Sequence, residues 1–197
     1  MVPVNGSVVD KVGAFLAERL PGTPQRASVT FLGVEPVDVL RFVAGDGDGQ
    51  LVYVTVGCSR HPMTEPDDLH ADPVRGPRAE VVVRMAAGSP LPGLHRRMAT
   101  IAAAPAVEGL ILTSSALIDL GEPLWDGSDC TAVLLDDDEL GEFELGGELD
   151  PVRFLRAIPI TANEAAWVRL KGADELRAAW DEAGIDVTVT PRKAASL

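Results

Sequence analysis

The sequence predicts an α+β fold: a mixed, largely antiparallel sheet packed with helices, in a single domain over residues 1–190 with a frayed tail from 191 to 197. Three observations predict it. β-rich runs come in groups instead of alternating one by one with helices, helical apolar periods stand at the start, middle and end of the chain, and a glycine-rich turn joins two of the β-rich runs. A regular βαβ repeat is therefore not expected.

Val8, Val9, Val12, Phe15, Leu16 and Leu20 recur at steps of three and four, with Ser7 as N-cap and Pro21-Gly22 as the stop, which defines a first helix. Strands are expected over 27–34, 37–44 and 50–57. In the third, Val52, Val54 and Val56 alternate with Tyr53 and Thr55. Gly45-Asp46-Gly47-Asp48-Gly49 is turn chemistry and makes the second and third an antiparallel hairpin. Residues 59–77 hold four prolines without periodicity and read as a long surface loop.

Strand character returns over 78–85. A helix is expected over 92–104 from Leu94, Met98, Ile101 and Ala102, with Pro92 in its first turn. Short apolar runs at 109–112, 116–120, 131–135 and 154–160 read as further strands. Thr161 and Glu164 form a capping-box pattern ahead of a helix through Ala165, Trp167, Val168 and Leu170, which Gly172 ends. A last helix over 173–183 carries Leu176, Ala179 and Trp180 and closes at Gly184.

A chain of 197 residues with 46% hydrophobic and 24% charged residues suits one well-packed core and argues against disorder. No run approaches the ~20 apolar residues of a membrane span, and Met1-Val2-Pro3-Val4-Asn5 lacks the basic start of a secretory signal, so a cytoplasmic location is expected. Two distant cysteines, Cys58 and Cys130, give no disulfide framework. The net charge of -13 is concentrated: residues 119–150 hold twelve Asp and Glu and no Lys, Arg or His, leaving eighteen acidic and seventeen basic residues elsewhere. Nucleic acid as a partner is disfavoured, and a basic protein partner is the natural complement.

The chemistry-bearing residues crowd at Gly57-Cys58-Ser59-Arg60-His61. A hydrolase would need Ser59 and His61 to form a nucleophile and base with a distant acid, but the Gly-x-Ser-x-Gly elbow is missing and adjacency in sequence is not triad geometry. Cys58 reads as a small packed residue at a strand end. Cys58-x-x-His61 has no second pair to complete a zinc site, and the loop starting at Asp46 lacks the glycine and glutamate of an EF-hand. Phosphate and dinucleotide cradles are absent as motifs, so no cofactor and no metal are expected. Asp136, Asp137, Asp138 and Glu139 read as a solvated loop, with a partner-binding face as the second reading. Trp125 sits in a turn-like stretch among acids, either pinning a loop to the core or exposed as a hot spot.

The strand end Tyr53-Val54-Thr55-Val56-Gly57-Cys58-Ser59, the strand Arg78-Ala79-Glu80-Val81-Val82-Val83-Arg84-Met85, Gly121-Glu122-Pro123-Leu124-Trp125 and the segment Pro159 to Trp167 together resemble the bacterial suppressor of fused domain family. Cys58 stands where that family's pattern has methionine. The resemblance implies a single suppressor of fused-like domain, and binding instead of turnover, with no catalytic residue to carry over. It further implies that an immunity protein neutralising a basic toxin is one form the binding could take. On these grounds a non-catalytic protein-binding domain is expected, with Ser59, Arg60, His61, Met63, Thr64, Trp125 and the acids 136–139 as candidate contacts. A hydrolase using Ser59 and His61, or a structural module, is the alternative.

Overall fold

The computed structural model describes residues 6–44, 49–67, 70, 72–88, 91–192, 194 and 195. The elements run α1 (Val8–Arg19), β1 (Gln25–Phe31), β2 (Val34–Ala44), β3 (Gln50–Val56), a single 3₁₀ turn (Cys58–Arg60), β4 (Arg78–Ala86), α2 (Leu94–Glu108), β5 (Leu117–Asp119), β6 (Cys130–Phe143), β7 (Val152–Thr161), α3 (Ala162–Lys171) and α4 (Ala173–Ala183). One seven-stranded sheet has the order β1-β2-β3-β4-β7-β6-β5. Every pairing is antiparallel except that of β4 with β7, where Glu80 lies beside Phe154 and Val82 beside Arg156. This is the expected α+β architecture. The glycine turn at 45–48 lies outside the described residues, while the antiparallel hairpin it was assigned to is formed by β2 and β3.

Helices cover both faces of the sheet. α2 packs on one face, where Leu51, Tyr53, Val81, Val83, Leu135 and Leu155 meet Leu94, Met98 and Ile101. On the other face α1 brings Val12, Phe15 and Leu16 against Val52, Val54 and Phe154, with the Phe15 and Phe154 rings 5.3 Å apart. α3 and α4 cover Ala132, Leu134, Ile158 and Ile160 on that same face. Sheets covered on both sides need strands buried on both sides. Tyr53 and Thr55, which alternate with Val52, Val54 and Val56, are accordingly 8% and 0% exposed.

The capping box of Thr161 with Glu164 forms as the sequence indicates, and the expected N-cap Ser7 is itself part of a second capping box, with Asp10. Several boundaries differ. Residues 109–112 form no strand, because Gly109 caps α2 in the left-handed conformation and the chain turns away from the sheet. α2 itself starts at Leu94 and runs to Glu108 through Pro105, beyond the expected 92–104. The largest difference is β6, a 14-residue strand that carries the acids 136–139 within the sheet, where a solvated loop was expected. Leu170, assigned to the apolar stripe of its helix, is 79% exposed.

Two residues of the stretch expected to fray, Arg192 and Ala195, contact Glu164 of α3. Glu164 is fully buried and accepts from Trp180 Nε1 at 2.9 Å, from Arg192 Nη1 and Nη2 at 2.8 Å and from the Ala195 backbone N–H at 3.3 Å. Burial alone would raise its carboxyl, but the Arg192 guanidinium and the Thr161 N–H hold it below the ordinary glutamate value. A buried carboxylate stripped of its cation is strongly destabilising. Arg192→Ala is therefore expected to lower unfolding stability by about 3 kcal/mol, measured by urea denaturation followed through tryptophan fluorescence. A truly frayed end would give no change.

Candidate functional site

Strand β4 grips the chain that follows β3 with two buried side chains of opposite charge. Glu80, fully buried, accepts from Gly57 N–H at 2.8 Å, Ser59 N–H at 3.0 Å and Ser59 Oγ at 2.6 Å through one oxygen, and from Thr55 Oγ1 at 2.6 Å through the other. Arg78, 2% exposed, donates to the carbonyls of Ser59 at 2.8 Å, Arg60 at 3.0 Å and Val74 at 2.8 Å. Glu80 takes N–H donors of the turn and Arg78 takes carbonyl acceptors, so much of the backbone of a short 3₁₀ segment with no strand partner is bonded. Gly57 makes the entry possible with φ of 137°; a Cβ there would lie 3.1 Å from the Pro36 carbonyl oxygen.

Burial is the largest influence on Glu80 and raises its carboxyl above the ordinary 4.5, against the opposing hydrogen bonds from Ser59 and Thr55. The Cys58 thiol is pushed well up by burial and then by Glu80. A thiol held in its protonated form is a poor nucleophile.

The outer side of this turn faces a groove of about 400 Å³. Its walls are Val34 and Glu35 after the β1–β2 turn, Arg60, His61 and Thr64 from the gripped segment, and Ala102, Ala103, Pro105 and Ala106 along α2. Glu35 bridges Arg60 Nη1 at 3.3 Å and His61 Nε2 at 2.8 Å. Leu32, fully exposed at the β1–β2 turn, and Val107, 61% exposed beside Ala106, add apolar surface next to these walls.

The structure separates the residues that the sequence brought together. Ser59 is completely buried with its hydroxyl on Glu80, whereas His61 is an exposed residue bonded to Glu35. No imidazole activates the serine, so the hydrolase pairing of Ser59 with His61 is corrected. Met63 is buried too, its Sδ accepting from the Leu112 N–H at 3.4 Å. The loop is thus exposed at His61, partly exposed at Arg60 and Thr64, and core at Ser59 and Met63. Trp125 is 7% exposed and packs into the core against α2, which matches the loop-pinning reading and overturns the exposed one. Among the described residues no group of three or more His, Cys, Asp or Glu could hold a metal ion, and no helix is long and apolar enough to cross a membrane.

The acidic segment is partly compensated by arginines that are distant in sequence. Asp138 is buried and takes both Arg84 Nε at 2.8 Å and Nη2 at 2.9 Å, while Glu139 meets Arg84 Nη1 at 2.7 Å. Asp136 pairs with Arg177 and Asp137 with Arg153. Asp119, Glu122 and Glu142 pair with Arg169, Arg97 and Arg153. A free patch at 136–139 is therefore not present. Glu80 and Arg78 were missed as site residues because charged residues in a strand signal exposure; their flanks, Ala79 and Val81 to Val83, were the clue to burial on both faces.

The family described as Suppressor of fused protein (SUFU) matches residues 33–193. That is most of the chain, and the chain belongs to this family. A SUFU homolog from Neisseria gonorrhoeae FA 1090 has a similar structure at 19% identity and TM-score 0.63, covering 96% of this chain and 95% of that one. The crystal structure of the Sufu-Fu complex aligns at 15% identity and TM-score 0.56, over 83% of this chain and 78% of that one. Drosophila Suppressor of Fused aligns at 14% identity and TM-score 0.55, over 82% of this chain but only 43% of that protein. At such identities the likeness is one of fold. A search of curated proteins found no match.

Glu80→Ala should leave the Gly57 and Ser59 N–H groups and two hydroxyls buried without an acceptor, lowering stability by on the order of 3 kcal/mol or more. Glu80→Gln keeps an acceptor for the turn and should cost less. Because the native carboxyl is raised, the folded state binds its proton more tightly, so this group's contribution is complete below 4.5 and is lost as pH rises through the raised value. Urea midpoints from pH 4 to 8 should show that slope in the wild type and lack it in Glu80→Gln.

Proposed function

We propose that this member of the suppressor of fused family is a non-catalytic protein-binding domain whose contact surface is the groove between the β1–β2 turn, the segment from Arg60 to Thr64 and the second half of α2. The observation that carries the reading is the contrast between the two sides of the gripped turn. Its inner side is fixed by Arg78 and Glu80, while its outer side offers Arg60, His61 and Thr64 to a concave wall of small apolar residues. Rigid placement lowers the ordering cost of binding. A pocket lined by alanines, with exposed Leu32 and Val107 next in sequence to its lining residues Gly33 and Ala106, suits an apolar anchor from a partner, and the Glu35, Arg60 and His61 cluster supplies a polar rim. The solved Sufu-Fu complex supports protein binding as the general role for this fold.

The finer reading is an immunity protein that neutralises a basic toxin through an acidic face. The negative charge available for it is carried by Asp126, Asp129 and Glu144, which are exposed and make no ion pair among those described. Two surface variants distinguish the contact faces. Leu32→Asp combined with Ala106→Arg places charge on the groove, and Asp126→Lys, Asp129→Lys and Glu144→Lys reverse the unpaired acids, with all five positions exposed. Affinity purification from the native cells with quantitative mass spectrometry should show one stoichiometric protein partner that the groove variant loses at least tenfold and the acid variant retains. Loss only in the acid variant would favour the toxin-neutralising face, and no stoichiometric partner with any of the three would overturn protein binding. Unchanged thermal unfolding of both variants is the control.

A further inference from the structure

The two edges of the sheet are unlike. β5 has three residues, while β1 has seven and pairs with β2 alone. Long edges are usually blunted by charged side chains, lysine above all, by proline, by a β-bulge or by an inward charge. β1, Gln-Arg-Ala-Ser-Val-Thr-Phe, has no proline and no lysine; its one charge, Arg26, is engaged by Asp38 on β2, and its register with β2 shifts only between Val29 and Phe31. Exposed and half-buried residues alternate along it, and the half-buried Val29 and Phe31 pack against the core on the α2 face, with nothing beyond them in the sheet. The apolar layer thus continues to the last strand and stops there uncovered.

A second copy of the same strand fits this edge. Antiparallel pairing about a two-fold axis preserves the two faces only when the axis passes through a residue, because a shift of one residue sets an apolar face against a polar one. An axis through Ser28 pairs all seven residues: Ala27 faces Val29 of the second copy, Arg26 faces Thr30, Gln25 faces Phe31, and Ser28 faces itself. No like charges meet. Moving the axis to Ala27 or Val29 leaves two residues of each strand without a partner, and moving it to Arg26 puts two guanidiniums opposite each other. With the axis perpendicular to the sheet, the α2 layers of both copies stay on one side and the Val29 and Phe31 layers become continuous. We propose that the chain forms an isologous dimer by antiparallel pairing of β1 with β1 about Ser28, extending the sheet across two copies. This stands apart from the groove reading, which needs no dimer.

The register makes the test specific. Directly opposed antiparallel residues have Cα separations of about 4.5–5.5 Å, within disulfide range, whereas residues two positions off the axis are more than twice as far from their own copies. Ser28→Cys should therefore cross-link to itself under mild oxidation and Thr30→Cys should not, with the native Cys58 and Cys130 both buried. Sedimentation of the whole protein should give twice the 20.8 kDa chain mass at micromolar concentration. Thr30→Glu, facing Arg26 of the second copy, should tighten the dimer about fivefold and Thr30→Lys should loosen it about fivefold. A monomer up to ~0.2 mM, a dimer insensitive to both Thr30 changes, or equal cross-linking of the two cysteine variants each overturns the proposal. So does slowed amide exchange over 25–31 that appears only with a different protein bound.

Discussion

The fold depends on one arrangement above the others: two buried, oppositely charged side chains two residues apart on a central strand, Arg78 bonded to backbone carbonyls and Glu80 to backbone N–H groups and two hydroxyls. Glu80 and Arg78 do not bond each other; they divide the polar groups of the Gly57–Arg60 segment between them. A turn buried under a two-sided sheet could not otherwise satisfy its N–H and C=O groups. Everything that borders the groove on that side follows from this division. The direction of Arg60 and His61, the Glu35 bridge and the inward course of Met63 are all set by where β4 holds the backbone.

Charge elsewhere in the molecule obeys the same economy. The twelve acids of residues 119–150 form an unbroken run of one sign only while the chain is read as a line. Folding brings Arg84, Arg97, Arg153, Arg169 and Arg177 onto them from both sides in sequence. The pair of Arg84 with Asp138 is bidentate and buried and joins β4 to β6 across β7, so it ties strands that are not neighbours. The exposed pairs contribute little stability individually. They do confine the uncompensated charge of this segment to fewer positions, among them Asp126, Asp129 and Glu144.

Much of the fold was legible in the sequence. α1, α3 and α4 announced themselves through capping boxes, apolar periods and terminal glycines, because those signals act within a few residues. Most strands were found, but the burial of Tyr53 and Thr55 was not legible, since alternation looks the same whether the second face meets solvent or a helix. β6 was cut short at Leu135 because four consecutive acids carry no local sign of the arginines that receive them. The exposed half of the candidate site, Arg60, His61 and Thr64, was legible as a polar loop after a strand. Its foundation was not, for a buried Glu80 can be recognised only once the donors of Gly57, Ser59 and Thr55 are placed around it.

The lone parallel contact, β4 against β7, divides the sheet into two antiparallel groups, β1 to β4 and β5 to β7. Within each group strands adjacent in sequence are neighbours in space, but joining them requires Val81 to find Leu155 across the whole of α2, β5 and β6. Closing so long a loop carries an entropic cost before any contact rewards it. The seam is thus the natural late step of assembly. Until it closes, the apolar margins of β4 and β7 stand open, making the time spent in that half-assembled state the interval in which this chain is most exposed to aggregation.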